Sequence, residues 1–582
     1  VLNYPFAHGE GKDKDLPMNF EKSRAAAIAW AFTGLAAAVA PAQESYDDAF
    51  ARYQSFKKRP SLNRQIEGRR VLAQTGDPRA FDVLVGDYAK PPEPVEFVRS
   101  TLVTLLSELH TQEPPRDSWR AWREANPKAE HLWLWYRAIQ LEGAVADGRW
   151  REVFGQRLPV ELRAAILAAA GDVEGGPALD EATLGLVMEL AAAMPRPPRE
   201  RAMLLEGMVE LFEAKGKELT GTARGVFHSL LHLMAERETS LRSRIVIART
   251  LARALGREDI GPDPEGWLEL VSDKPVEEVE IGYAKRRAAV PLGFFGIPDH
   301  GRSIAYVIDA SDSMLQPLTP RELAELQPRT GAGQPAADGK GPARADAAER
   351  AVDWSKVQNR FDAARELLKL ALRRLQPDQR FTVILFGSDA EFLSASVGLV
   401  AASPANVEKV CNEIDAISAV RSRNPERPHG ELRGSTNLHG GMLLAFRAGD
   451  AKKSRAKPQR PDSRSKVVKI PPEPDWQPLD ERGVDTIFLF SDGDPSADNW
   501  NGADTSDSDV AGDPESGATY ASTGRGIYAG PFAWPPYLLA DLRRMNVLQR
   551  AAIHAIGIGE VDFRLLERIA ADGRGVCIKI GK

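Results

Sequence analysis

The sequence predicts two parts: a helical N-terminal region of the α-solenoid type and a C-terminal α/β domain, doubly wound around a mostly parallel sheet. Three observations carry this. From Ser45 to about Val271, apolar residues recur at helical spacing between breaks rich in Gly, Asp and Pro. From Ser303 onward, near-continuous runs of Ile, Val and Phe alternate with helical patterns, as parallel strands buried on both faces require. Between them lies a stretch of mixed charge, Pro and Gly that reads as a connection.

The N-terminus carries a processing pattern. Residues 25–40 form a mostly apolar run without a charge, shorter than the roughly 18 residues of a membrane-spanning helix. Lys22 and Arg24 precede it, and small-x-small sites (Ala38-Val39-Ala40, Ala40-Pro41-Ala42) follow. Basic start, short apolar core and small-residue cut site together read as a signal peptide over 18–42. Met18 stands where such a peptide begins, which makes residues 1–17 an upstream extension and puts the mature start near Gln43. The expectation is export to the periplasm or outside the cell, with no integral membrane segment in the mature chain. A buried Ala-rich helix is the alternative.

Residues 45–285 form the helical domain. In Val98–His110, Leu102, Leu105, Leu106 and Leu109 fall at i, i+3, i+4 and i+7. Amphipathic blocks follow at 132–145, 160–170, 181–194, 201–214, 223–235 and 242–255. Short helices that each bury one face gain a continuous core by stacking. The stretch from Arg69 to Leu84, with its Gly76-Asp77-Pro78-Arg79-Ala80 turn, resembles a HEAT-type repeat. The other blocks match only in period and polarity, so an irregular bundle stays open. Nothing in this half looks catalytic.

Residues 286–302 are the linker, and 303–582 the α/β domain. Strands are expected at 303–309, 380–386, 485–490 and 552–558, helices at 361–375, 405–417, 439–447, 537–550 and 563–570, and the C-terminus ends in a strand-like segment. In such a sheet ligands gather beyond the carboxyl ends of the strands.

The whole chain of 582 residues has 82 Asp plus Glu against 76 Lys plus Arg, a formal charge of −6. That balance gives no reason to expect a nucleic-acid partner, which needs a basic face. Cys411 and Cys577 allow at most one bridge and exclude an all-Cys zinc site.

The chemistry collects at the predicted strand ends. The first strand terminates in Asp309-Ala310-Ser311-Asp312-Ser313, Gly434-Ser435-Thr436-Asn437 opens a helix, and Ser491-Asp492-Gly493 closes a strand. The carboxylates of Asp309 and Asp492 and the hydroxyls of Ser311, Ser313 and Thr436 make a hard, all-oxygen set. It suits Mg²⁺, Mn²⁺ or Ca²⁺ and is poor for zinc or copper. Two formal negative charges leave such an ion under-neutralised, with room for an acidic group from a partner.

This arrangement resembles the von Willebrand factor A domain and its metal-ion-dependent adhesion site. The family's Asp-x-Ser-x-Ser falls on Asp309, Ser311 and Ser313, its threonine on Thr436, and its Ser-Asp-Gly aspartate on Asp492. By that resemblance Ser311, Ser313 and Thr436 supply direct or near-direct oxygens, while Asp309 and Asp492 act largely through water. The implied partner is a protein that donates a Glu or Asp carboxylate. An A-type fold with a vestigial site is the bland alternative, and all five positions being intact speaks against it. A haloacid-dehalogenase-type phosphatase needs a second carboxylate two residues after the first Asp, where Ser311 stands.

Three insertions depart from a compact domain of this kind: 315–355, 449–484 and 495–536. The first and third join strand to helix and should rise on the metal face; the basic, Pro-rich second should emerge opposite. The acidic run with Asp498, Asp504, Asp507, Asp509, Asp513 and Glu515 lacks EF-hand spacing and reads as a solvated loop. His228 and His232, four apart, lack a zincin glutamate and a third ligand, so a packed or capping pair is favoured. Trp119, Trp122, Trp133, Trp135 and Tyr136 read as core between helices. No phosphate-binding loop, nucleophile elbow or catalytic Cys/His pair occurs, and the expectation is a non-catalytic protein. Its function is then adhesion or protein interaction; the alternative is a scaffold subunit of an enzyme or assembly complex.

Overall fold

The structure is a computed structural model. It describes residues 44–57, 62–89, 115–172, 181–213, 222–255, 257, 260–271, 294–297, 300–327, 352, 354–388, 390–421, 431–432, 436–449, 482–496, 510–512, 519–521, 531–559 and 561–581. The expected signal segment, the helix expected at 98–110 and the middles of the first two insertions lie outside these residues, whereas the third insertion, read as a solvated loop, carries a short antiparallel strand pair at 510–512 and 519–521.

The helical region contains α1 (Tyr46–Lys57), α2 (Leu62–Gln74), α3 (Pro78–Ala89), α4 (Pro115–Ala125), α5 (Leu132–Leu141), α6 (Trp150–Phe154), α7 (Val160–Gly171), α8 (Glu181–Ala192), α9 (Pro198–Glu213), α10 (Thr222–Ala235), α11 (Leu241–Leu255) and α12 (Pro264–Val271). The turn at Gly76, which takes φ +65°, separates α2 from α3. The Arg79 and Asp77 side chains pair across this turn at 2.8 Å. Alternate helices touch: α5, α7, α9 and α11 form one row, and α8, α10 and α12 a second. The tryptophan group is core. Trp119 is fully buried with its ring edge-on to Phe81 at 4.9 Å, and Trp133 stacks on Tyr136. His228 is half-buried and His232 exposed.

The C-terminal region is built on β1 (Ser303–Asp309), β2 (Arg380–Phe386), β7 (Thr486–Ser491), β10 (Ala552–Ile558) and β11 (Arg574–Ile580), all parallel, with β3 (Ala390–Phe392) and β4 (Val400–Ala401) antiparallel on the outer edge of β2. The sheet order is β11-β10-β7-β1-β2-β3. Two minor pairs, β5 (Ser418–Arg421) with β6 (Glu431–Leu432) and β8 (Val510–Gly512) with β9 (Thr519–Ala521), lie apart from this sheet. Helices α13 (Pro320–Leu326), α14 (Arg360–Arg374), α15 (Pro404–Asp415), α16 (Leu438–Arg447), α17 (Pro535–Asn546) and α18 (Phe563–Asp572) complete the region.

Residue parity explains the two layers. Ile304, Tyr306 and Ile308 of β1 join Phe488, Phe490, Ile556 and Ile558 in a core shared with α14 and α15. Ala305 and Val307 face the other way, into a core shared with α16, α17 and α18 that is continuous with that of the helical region. Strands so placed are buried on both faces, which is why they read as unbroken apolar runs. Two differences stand against the expected pattern. The edge strands β3 and β4 are too short to show a period, and β7 begins at Thr486 because Asp485 turns its carboxylate to the backbone amides of Arg302 and Ser303, each at 2.9 Å.

The helical region meets the amino-terminal ends of the strands. Arg249 of α11 donates to the Asp485 carbonyl and the Thr486 hydroxyl, both at 2.6 Å, and Arg242 donates to the Gln549 carbonyl. Glu210 of α9 receives Arg550 and Arg574 together. Both arginines stand at positive φ, +47° and +55°, in the left-handed region that side chains with a Cβ seldom occupy. This docking lies at the end of the sheet opposite the carboxyl ends of the strands.

Candidate functional site

The strand order reverses at β1: the chain passes from β1 to β2 on one side and later returns to β7, β10 and β11 on the other. Crevices open where neighbouring connections leave in opposite directions, so the carboxyl ends of β1 and β7 are where a ligand fits. Asp309 closes β1 at this edge, and the other four candidates lie on the loops there.

Asp309 ends β1 and is fully buried. Its Oδ1 accepts from the Ser311 amide at 2.8 Å, and its Oδ2 from the Ser491 hydroxyl at 2.6 Å. The chain then enters a short 3-10 turn, Asp312–Leu315, which swings Ser313 back beside Ser311. Their hydroxyl oxygens stand 2.9 Å apart, and that of Ser313 donates to Asp492 Oδ1 at 2.7 Å. Four of the five candidates therefore form one connected group. Thr436 enters from a third loop, immediately before Asn437, whose Oδ1 caps α16 by accepting from the Gly440 amide at 2.8 Å. The Thr436 backbone is tied to Ser496 by two hydrogen bonds, and its hydroxyl and that of Ser313 flank the same face of Gly493.

Burial leaves a narrow mouth. Ser311, Thr436 and Asp492 are buried, whereas Ser313 and Gly493 are half-exposed. Burial, and after it the charge of Asp492, pushes the Asp309 carboxyl above the usual carboxylate range; burial pushes Asp492 up as well, against hydrogen bonds from Ser313 and Arg360. Two carboxylates so placed resist carrying their charges together.

Sequence reasoning missed Arg360. It opens α14, and its Nη1 lies 2.9 Å from Asp492 Oδ2 while Nη2 lies 3.3 Å from Glu322 of α13. A basic residue in the first turn of a helix, where the dipole disfavours it, was the available signal. Ser491 was seen only as part of its motif; it proves to tie β7 to Asp309. Cys411 and Cys577 are both free thiols, and burial raises each. Among the described residues, no group of three or more His, Cys, Asp and Glu forms a metal cluster; the site itself combines only two carboxylates with three hydroxyls.

A doubly wound α/β domain with polar loops gathered at its switch point is thus the architecture in hand. Residues 351–460 match the von Willebrand factor type A domain family, so the chain carries a domain of this type behind a helical N-terminal region, and the general role of such a domain is protein interaction. The matched segment includes Thr436 but begins after Ser313 and ends before Asp492. No curated protein matches the chain. Among the described residues, no helix is long and apolar enough to cross a membrane.

Proposed function

We propose that the pocket of Asp309, Ser311, Ser313, Thr436 and Asp492 takes a divalent cation of the Mg²⁺ class, with Mn²⁺ or Ca²⁺ as substitutes, and uses it to grip a carboxylate of a partner protein. One observation carries this. Asp309 is fully buried beside a second carboxylate, and no Lys, Arg or His among the described residues pairs with it. Buried charges are ordinarily paired or bound to metal.

The donor set fits such an ion. Adjacent oxygens around Mg²⁺, bonded at about 2.0–2.1 Å, stand roughly 2.9 Å apart in an octahedron. The Ser311–Ser313 oxygen separation, 2.9 Å, is of that size. Ser311, Ser313 and Thr436 would hold the ion, with Asp309 and Asp492 behind them. The ion supplies positive charge that attracts an oxygen from outside the chain. Ser491 and the Ser311 amide keep Asp309 oriented, and Gly493 keeps the mouth open for the partner's side chain.

The helical region then serves as a second docking surface. Its two rows of alternate helices favour a HEAT-like array over an irregular bundle. Export remains part of the proposal on the strength of residues 18–42, and no catalytic role is assigned. The test is capture by the immobilised chain from an exported fraction in Mg²⁺ and in EDTA, with Asp309→Ala as a second control. Proteins retained only by the native chain in Mg²⁺ support the reading. An identical set under all three conditions contradicts it and leaves the scaffold alternative.

A further inference from the structure

The strongest feature outside the five candidate ligands is a buried chain of charges that ends on one of them. Glu322, on α13 within the first insertion, is 1% exposed. It completes a capping box with Thr319: the Thr319 amide donates to Glu322 Oε2 at 2.6 Å, and the Glu322 amide to the Thr319 hydroxyl at 3.2 Å. Its other oxygen meets Arg360 Nη2, and Arg360 Nη1 meets the outer oxygen of Asp492. The inner oxygen of Asp492 faces Ser313. The order Glu322–Arg360–Asp492–Ser313 thus runs from the insertion into the pocket.

The backbone makes room for this chain. Gly559 and Gly581 close β10 and β11 at φ +79° and +84°. A Cβ on Gly559 would collide with the Arg360 guanidinium, and one on Gly581 with the Glu322 side chain. The Gly581 amide further holds α13 in place by donating to Glu325 at 2.9 Å. Three separate elements therefore seat one arginine against one carboxylate of the pocket. Buried ion pairs stabilise little on balance, because desolvation offsets their attraction. A gain in stability is a weak reason for so much accommodation.

We propose that Arg360 is a positioning residue that sets how tightly the pocket holds its cation. Its positive charge lies one carboxylate away from the ion's place and opposes a second positive charge there. Glu322, on the far side of the guanidinium, keeps it seated without cancelling it at the pocket. An ion held loosely in this way binds firmly once a partner's carboxylate adds the missing negative charge. The inference rests on the cation reading above and deepens it.

Orientation and charge make opposite predictions. Were Arg360 present only to aim Asp492, its loss would weaken cation binding. Acting through charge, its loss strengthens binding, since like charges repel and a buried setting screens them less than water does.

The experiment is calorimetric titration of the full chain with MnCl₂. Native chain, Arg360→Met, Arg360→Lys and Asp309→Ala are compared. The charge role predicts that Arg360→Met binds at least about tenfold tighter. Arg360→Lys keeps the charge but loses the two-ended fork, and should stay within about threefold of native. Native binding with Arg360→Met unchanged or weaker overturns the role of Arg360 and leaves the cation site standing. A tenfold loss in Arg360→Lys overturns it too, which decides the matter should Arg360→Met not fold. No heat from a folded native chain overturns the cation reading itself, and the inference with it.

Discussion

The hydroxyl of Ser313 donates to Asp492 at 2.7 Å across 179 positions of sequence. No local pairing rule brings these two together. The sheet does, by setting the ends of β1 and β7 side by side through the register Ile308 to Phe490. The pocket is therefore a property of the sheet order, and each of its members can be tested singly.

Ser313 touches both Ser311 and Asp492, so it is the hinge of the oxygen set. Ser313→Ala removes a proposed ligand and should weaken Mn²⁺ binding by at least about 10-fold, the lower end of what losing even a supporting contact in a metal site costs. The fold should persist, because the residue is half-exposed. Titration alongside thermal unfolding separates the two effects.

Glu210 is the point where the helical region holds the sheet. Glu210→Ala leaves Arg550 and Arg574 without their shared carboxylate at a buried contact. Removing one partner of a buried ion cluster costs about 3–5 kcal/mol. Urea unfolding should show that loss, and a variant as stable as native would deny Glu210 this role.

Trp119 tests the helical core. Fully buried against Phe81, it should leave a cavity on Trp119→Ala and cost about 3–5 kcal/mol. A loss under about 1 kcal/mol in chemical denaturation would mean that the helices pack otherwise.

Asp541 makes stability depend on acid. Burial alone would raise its carboxyl, but the charge of Arg544 and the hydrogen bond from His439 outweigh it and hold it below the usual range. A carboxylate lowered on folding adds stability above its unfolded value near 4, and that contribution fades as pH falls toward the folded value. Asp541→Asn should therefore cost stability at pH 7 and lose less between pH 5 and pH 3 than the native chain does. Equal pH slopes for the two chains would contradict this.

Much of the sheet was legible in the sequence. The strands 303–309, 380–386 and 552–558 begin and end where their apolar runs do, because a strand covered on both faces is mostly apolar along its length, with Thr382 and His554 as buried polar exceptions. Edge strands β3 and β4 were invisible for the converse reason: Ala390-Glu391-Phe392 is too short to show a period. Asp309 was legible because it ends its strand, Ser311, Ser313 and Asp492 because they stand on the loops just after a strand, and Thr436 because it precedes a helix cap. Arg360 was not. Its partner Asp492 lies 132 positions away, and a count of oxygens leaves no place for a guanidinium. The docking of Glu210 on Arg550 and Arg574 was hidden likewise, since nothing local says which end of a sheet a helical array will meet.

The central claim is that a divalent cation belongs between Asp309 and Asp492, and calorimetric titration of the folded chain with Mn²⁺ addresses it most directly. The account predicts a single site per chain that disappears in Asp309→Ala while the circular dichroism spectrum stays native. Binding of the same strength in Asp309→Ala would place any ion elsewhere and contradict it.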